Sequence, residues 1–418
     1  MKTKIIRTST VPISLNILLK GQLKFLNQTF HIIGVSSAGK DLIEIQNREG
    51  IPTHSVEMKR GISPIKDFVS LIKLFIVFKN EKPAVVHSIT PKAGLLTMLA
   101  GKLAGVPIRM HTFTGLIFPT RTGAMQKLLI KMDQLLCLSA THIYPEGNGV
   151  KNDLISYKIT SKPLKVIANG NVNGIDLDFF SKEHFSTEQL LDLKEELGIQ
   201  PNDFVFVFVG RLVGDKGINE LVAAFKELET RNQESSTLVS NPNPLVSSPQ
   251  SLVPSPQSPV PSKVPKLLLV GPLETELDPL KEETLKEIEL NKNIISVGFQ
   301  KDVRPYFAIS NALVFPSYRE GFPNVVMQAG AMELPSIVSN INGCNEIIVE
   351  GENGTIIPVK NAEAITVAMQ KLMEDKDYYL SLKNNARPMI QSRYEQSLVW
   401  NALLDEYNML IKKLDIKN

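Results

Sequence analysis

The stretch Asp203–Leu228, "DFVFVFVGRLVGDKGINELVAAFKEL", decides the fold class. Its first part runs through β-branched and aromatic residues with no polar face, which is how a strand buried on both sides reads. The run stops at Gly210, Arg211 follows, and Lys216 stands just before a new period begins. From there Ile218, Leu221, Val222, Phe225 and Leu228 recur at helical spacing and form one apolar stripe. A strand covered on both faces and followed by a helix predicts a parallel sheet with helices on either side.

The same alternation extends in both directions. Upstream, "KIIRTST", "HIIGVSS", "IPTHSVE" and "AVVHSIT" read as strands; Leu15, Leu18, Leu19, Leu23 and Leu26 follow the first at helical spacing. "DFVSLIKLFIVF" and "AGLLTMLAGKLAG" read as helices, the second closed by Gly105. Downstream, "KLLLVG", "IISVG", "ALVFPS", "PSIVS" and "GTIIP" are short, apolar and bounded by turn residues. The expectation is an α/β protein of two successive Rossmann-like halves, joined in the turn-rich segment Asn169–Phe180, "NGNVNGIDLDFF". Domain bounds of 1–175, 176–395 and a C-terminal helix over 396–418 follow. From Arg231 to Pro265 the text is rich in Ser, Pro and Gln and reads as a disordered surface loop.

The chain of 418 residues is long enough for two cores, and 43% hydrophobic with 21% charged residues is ordinary for a globular protein. A formal net charge of +3 gives no case for nucleic acid. Cys137 and Cys344 stand far apart, without metal-ligand spacing, and read as two thiols in a reducing compartment. No signal-peptide pattern opens the chain and no apolar run is long enough to span a bilayer. The expected location is cytoplasmic, at the inner face of a membrane if anywhere near one.

Two places carry chemistry. Arg211 and Lys216 leave the carboxyl end of a strand, where ligands of open α/β sheets bind, and a guanidinium fork beside an ammonium suits a diphosphate. Two surface cations are the plain alternative. The second place is "SYREGFPNVVMQAGAM", Ser317–Met332. Pro323 reads as the first residue of a helix. Gly321 permits close approach of backbone to a ligand, and the free amides around Phe322 and Asn324 suit anionic oxygen. Glu320 admits two readings, a charge complementing the helix end or a carboxylate that accepts hydrogen bonds from hydroxyl groups. Gln328 stands where a second acid would face the same place.

"VGRLVGDKG", "VGFQKDVRPYFAISNALVFPSYREGFPNVVMQAGAM", "EIIVEGENGTIIP" and "NGNVNGIDLDFF" together resemble the retaining glycosyltransferases of the GT4 family. The resemblance covers nearly all of the chain outside the Ser/Pro segment and is most specific in the second half. It implies a GT-B fold, two Rossmann-like domains facing a cleft. It further implies transfer of a hexosyl or N-acetylhexosaminyl group from a nucleotide sugar, UDP-linked as the first expectation, to a saccharide or lipid-linked saccharide in bacterial surface polysaccharide or glycan assembly. In the family, residues matching Arg211 and Lys216 neutralise the donor's diphosphate, the acid matching Glu320 contacts the transferred sugar, and the Gly321 and Phe322 amides help hold sugar and phosphate. Asn324 belongs to the same donor segment. The family has a second glutamate where this chain has Gln328; an amide there gives the ribose neutral hydrogen bonds in place of charge-assisted ones.

On the acceptor side, His111 in "RMHTFTG" is expected in a polar turn after a strand, matching a histidine that relatives place near the reaction centre. With Glu320 it forms the expected catalytic set. His87, at a strand end, and Lys92, opening the next helix, are the further acceptor-side candidates. The first loop, "TSTVPISL", lacks the glycine pair common in the family. Asp176 and Asp178 have DxD spacing but fall in a segment where relatives bind no metal. Neither a metal nor any other cofactor is expected, and transfer is read as passing through a short-lived ion pair. Lysines and arginines at positions 59, 60, 66, 73, 79, 82, 121, 127 and 131 surround two apolar helices of the first half and suit docking on anionic lipid. Rival readings are a nucleotide-sugar epimerase of the same fold and a non-catalytic sugar-nucleotide-binding subunit.

Overall fold

The computed structural model describes residues 2–59, 61–240, 263–276 and 278–416. It divides into two compact units. The first comprises Met1–Leu177, Glu320–Pro323 and Gln391–Asn418; the second comprises Asp178–Arg319 and Asn324–Ile390.

In the first unit the chain runs β1 (Lys4–Thr8), α1 (Pro12–Leu18), α2 (Gln22–Thr29), β2 (His31–Ser36), α3 (Lys40–Glu49), β3 (Thr53–Ser55), α4 (Pro64–Glu81), β4 (Val85–Ser88), α5 (Pro91–Ala104), β5 (Ile108–Phe113), α6 (Gly123–Ser139), β6 (His142–Pro145) and α7 (Asn148–Ser156). The six strands are parallel in the order β3-β2-β1-β4-β5-β6. The leucine run after β1, continuous in period, is broken into two helices at Gly21, whose φ of 81° no helix accommodates. Two apolar cores lie on the sheet's faces. One gathers Ile33, Val86, Leu96, Phe113 and Leu136 under α4–α6, the other Ile5, Leu23, Ile32, Val85 and Met110 under α1–α3.

The second unit repeats the plan: α8 (Thr187–Glu196), β7 (Phe204–Val209), α9 (Ile218–Ser240), β8 (Pro265–Val270), α10 (Glu282–Leu290), β9 (Ile294–Gly298), α11 (Arg304–Ala308), β10 (Ala312–Phe315), α12 (Asn324–Ala331), β11 (Ser336–Ser339), α13 (Cys344–Ile347), β12 (Gly354–Ile357) and α14 (Ala362–Glu374). Its parallel sheet has the order β12-β11-β10-β7-β8-β9. Phe204–Phe208 of β7 are all buried, as the unbroken apolar run requires. In both units the strand order reverses beside the first strand, between β1 and β4 and between β7 and β10, which is where such sheets open a crevice.

The expected loop over 231–265 is corrected at both ends. Helix α9 continues through Ser240 and Pro265 opens β8; residues 241–262, with most of the Ser/Pro text, lie outside the described residues. Pro323 is likewise not the first helical residue, since α12 starts at Asn324.

Helix α15 (Lys376–Tyr394) ends, and α16 (Gln396–Asp415) lies wholly, in the part of the chain grouped with the first unit. Leu403, Tyr407 and Leu410 of α16 complete the core under α1–α3. Buried polar groups are tied in with them. Arg7, only 1% exposed on β1, donates to Gln22 Oε1 and to the Tyr407 hydroxyl, each at 3.0 Å. Tyr144 donates to Glu406 at 2.8 Å, and Lys165 pairs with the same carboxylate. A buried guanidinium is tolerated only while such partners hold. Tyr407→Phe is therefore expected to cost about 1–3 kcal/mol, read as a lowered urea midpoint for the first unit with little change in slope.

Candidate functional site

In the second unit the chain leaves β7 at Gly210 and forms a turn of 3₁₀ helix, Gly214–Lys216, before α9. Arg211 is half exposed and Lys216 partly buried, its ammonium 5.8 Å from the centre of the Phe315 ring at the end of β10. This loop meets the segment that follows β10. Tyr318 N–H donates to the Asp215 carbonyl at 2.9 Å, and any Cβ on Gly217, at φ 73°, would collide with the Pro316 carbonyl oxygen. The β7 loop and the β10 loop thus touch at the topological switch point, where ligands of such sheets bind. The Tyr318 hydroxyl donates to Glu220 at 2.6 Å, and Lys360 lies 4.8 Å over its ring. Burial and the Glu220 carboxylate raise the Tyr318 pKa, so the phenol stays a neutral donor.

Asn324 and Gln328 sit four residues apart on α12, on one face of the helix and both half-buried. The structure thus gathers Arg211, Lys216, Asn324 and Gln328 in the second unit, on segments that follow the two strands flanking the switch point.

Glu320–Pro323 belongs to the first unit and is held there by close packing. A Cβ on Gly321 would stand 2.6 Å from the Thr114 carbonyl oxygen and 3.1 Å from a carboxylate oxygen of Glu146. Only glycine passes there. Phe322 is buried against Gly170 and lies edge-on to Tyr394 at 5.5 Å. The glycine read as letting a ligand approach thus also lets its own chain pass.

His111 is corrected in position, whereas His87, one residue from the end of β4, stands where the sequence reading put it. His111 lies inside β5, not in the turn after it, and is 1% exposed. Its Nδ1 is 2.8 Å from the Ser88 hydroxyl, its ring lies edge-on to Phe113 at 4.5 Å, and helix α5 crosses over it at Gly94. His87 lies inside β4, 2% exposed, between the Tyr407 hydroxyl at 2.6 Å and the Thr112 hydroxyl at 2.8 Å. Burial lowers both pKa values, to about 3 for His111 and well below the ordinary value for His87, so both rings are neutral. Lys92 is likewise engaged, with Asp67 at 2.5 Å and the Gly61 carbonyl at 2.8 Å, and it ties α5 to the start of α4. Among the described residues no group of three or more His, Cys, Asp or Glu could hold a metal ion.

Sequence reasoning missed Thr114 and Glu146, which follow β5 and β6, and Glu274 and Asp278, which follow β8. The signal was available: the rule that singled out the residues after β7 applies to every strand end of either sheet.

Two family models match, "Glycosyltransferase Family 4" over residues 19–178 and "Glycosyl transferases group 1" over residues 260–389. A capsular polysaccharide biosynthesis glycosyltransferase, CapM of Staphylococcus aureus, is 30% identical over 404 residues, 96% of either chain. The chain belongs to glycosyltransferase family 4. An Escherichia coli galactosyltransferase, named as passing galactose from UDP-Gal to an α-D-GlcNAc-diphosphoundecaprenol, is 28% identical over 78% of this chain and 75% of its own. The Anabaena protein Alr3699/HepE, solved with UDP, shares the fold at a TM-score of 0.74 and 17% identity, covering 98% of this chain and 100% of its own. The fold is GT-B and the protein is a glycosyltransferase.

The buried histidines predict an acid sensitivity of this family 4 enzyme. Their folded pKa lies below the unfolded value near 6.5, so the unfolded chain takes up protons that the native state does not. Stability is then full above about pH 6.5 and falls below it by up to about 1.4 kcal/mol per pH unit for each histidine. Urea midpoints at pH 7.5 and pH 5.5 check this, the second expected to be clearly lower.

Proposed function

We propose that this enzyme moves a sugar from a UDP-sugar, with retention and without a metal, to a saccharide carried on a lipid diphosphate during surface polysaccharide assembly. The observation that carries the reading is the placement of Arg211 and Lys216 on the loop after β7, where it meets the loop after β10. A diphosphate is the leaving group of every nucleotide-sugar transfer, and a guanidinium and an ammonium fixed on a short glycine-bounded loop stabilise the charge it gains. In this reading Glu320 accepts hydrogen bonds from the sugar, Gly321 and Phe322 present their amides, and Asn324 and Gln328 hold the nucleotide side. Gln328 meets the ribose as a neutral partner. His87, His111 and Lys92 frame the first unit, since each has buried structural partners. The UDP base and the lipid-linked acceptor are supported by what the galactosyltransferase relative is named for and by the UDP complex of the Anabaena neighbour.

The first unit also supplies support for work at a membrane surface. Helix α4 buries only Ser70, Leu74 and Phe78 and turns Ile65 (82% exposed), Phe68 (63%), Val69, Ile72 and Ile76 outward. Met125, Leu128, Leu135 and Leu138 are exposed on α6, with Lys127 and Lys131 between them. Lys59 and Lys66 stand close enough that contact with the Lys59 ammonium lowers the Lys66 pKa. No helix among the described residues is long and apolar enough to cross a bilayer. An apolar stripe rimmed by crowded lysines fits the surface of an anionic bilayer. Arg60, counted with these cations in the sequence, lies outside the described residues.

Nucleotide release from UDP-, GDP- and ADP-sugars, measured with and without an undecaprenyl-diphosphate-linked saccharide, tests the reaction. Release from a UDP-sugar that depends on the acceptor is expected; Arg211→Ala and Lys216→Ala should each lower kcat/KM by about 10²-fold or more with the fold intact. Equal turnover in both variants would sink the donor assignment. Phe68→Glu with Ile72→Glu should abolish sedimentation with vesicles containing anionic lipid while leaving turnover of a detergent-dispersed acceptor in place.

A further inference from the structure

The loop that follows β8 lies along the loop that carries Arg211. Leu212 N–H donates to the Pro272 carbonyl at 2.9 Å, Leu212 and Leu273 form a parallel bridge, and Gly214 N–H donates to the Asp278 carbonyl at 3.1 Å. The Asp278 carboxylate accepts the Asp215 N–H at 2.5 Å. These bonds extend the β7–β8 pairing past the ends of both strands, so the place of residue 274 is set by backbone and not by a wandering side chain. Its carboxylate lies on Arg211, Glu274 Oε2 to Arg211 Nη1 at 2.5 Å.

We propose that Glu274 is a built-in counter-ion that holds Arg211 until the donor's diphosphate displaces it, and that recaptures Arg211 when the nucleoside diphosphate leaves. The inference rests on the reading that Arg211 meets that diphosphate. Three features support it. A carboxylate and a phosphate oxygen use the same fork of the guanidinium, so they compete for one set of N–H donors. Arg211 is half exposed in the pair, and solvent screening keeps so exposed a pair weak enough for a ligand to open it. The product also carries more negative charge than the donor, because cleavage frees a phosphate oxygen that had been esterified to the sugar. A site with only cations would hold that product more tightly than the substrate. A carboxylate that returns to Arg211 opposes this.

Glu274 is accordingly a positioning residue for donor binding and product release, and its substitution should show in affinity. Glu274→Gln keeps the shape and removes the charge. UDP binding, measured by calorimetry on the whole protein, should tighten about two- to fivefold in this variant, and product inhibition by UDP should strengthen in step. In an Arg211→Ala background the same change should have no effect, which a merely structural role for Glu274 would not produce. Binding of both UDP and pyrophosphate that is unchanged or weaker in Glu274→Gln, or an equal gain without Arg211, overturns the proposal. Inorganic pyrophosphate serves as a second probe that needs no sugar transfer. If no UDP-sugar is turned over but pyrophosphate still binds more tightly to Glu274→Gln, the donor reading fails and the counter-ion stands. If UDP-sugars are turned over and neither probe tightens, the counter-ion fails and the donor reading stands.

Discussion

The second unit is organised around the contact between the β7 loop and the β10 loop at Gly217 and Pro316. Strand order reverses there, so the helices after β7 and β10 lie on opposite faces of the sheet and leave a crevice at the strand ends. Closing the backbones to contact requires a residue without Cβ at 217, in a left-handed conformation. That contact fixes the geometry around it. Arg211 and Lys216 sit on one side and the Pro316–Tyr318 turn on the other, with Asp215 joined to Tyr318 through backbone. Cations on a longer or looser loop would carry the same charge without the fixed placement that lets electrostatics act on a transition state.

The first unit has the same strand order and a different use of it. At its switch point the Thr10 and Thr90 hydroxyls bond each other at 2.8 Å, Thr10 N–H donates to Thr90, and the Thr10 hydroxyl accepts from the N–H of Ala93. The interior beneath is polar: Arg7, His87, Thr112, Tyr144 and Tyr407 are linked or adjacent, and Arg7, His87, Thr112, Tyr144 and Glu146 line a cavity of about 20 Å³. Polar groups linked in this way hold a core in one arrangement, since a member that moves takes a partner from its neighbour. That gives His87 a reason to exist that needs no chemistry, and it explains why helix α16, last in sequence, closes the core of β1, first in sequence.

How far the sequence can be read depends on what periodicity and motifs encode. The β7–α9 stretch is legible because burial on both faces leaves no polar residue in the strand and a clean stripe in the helix. Helical spacing over the leucines after β1 is equally clear, yet it cannot show that Gly21 splits the run, because a break in φ leaves the apolar period intact. The end of α9 escapes the sequence for the opposite reason: the Ser- and Gln-rich text carries no apolar stripe, yet the helix extends to Ser240. Arg211 and Lys216 are found by the strand-end rule, whereas His111 is displaced from its expected turn by a few residues, which in a strand is the difference between solvent and the core. The strand-end rule could have singled out Glu274, but its meeting with Arg211 is invisible in sequence because the two lie 63 residues apart and meet only through pairing of β8 with β7.

On the proposed reading, a loop that binds a diphosphate must also hold its cations in place while it is empty, and the acids around it can do so. The β8 loop offers such a hold, with Glu274 on Arg211 and the Asp278 carboxylate on the Asp215 amide, each in a place fixed by backbone bonds. Arg211 then remains available at small cost, because its pair is exposed, while the backbone that presents it is pinned by the neighbouring loop. The same arrangement explains why the cations are carried after β7 and not after an edge strand: only a strand with neighbours on both sides can have one loop supply the counter-charge and the other the opposite wall. On that reading, position in the sheet, more than residue type, is what would make two ordinary cations into a site.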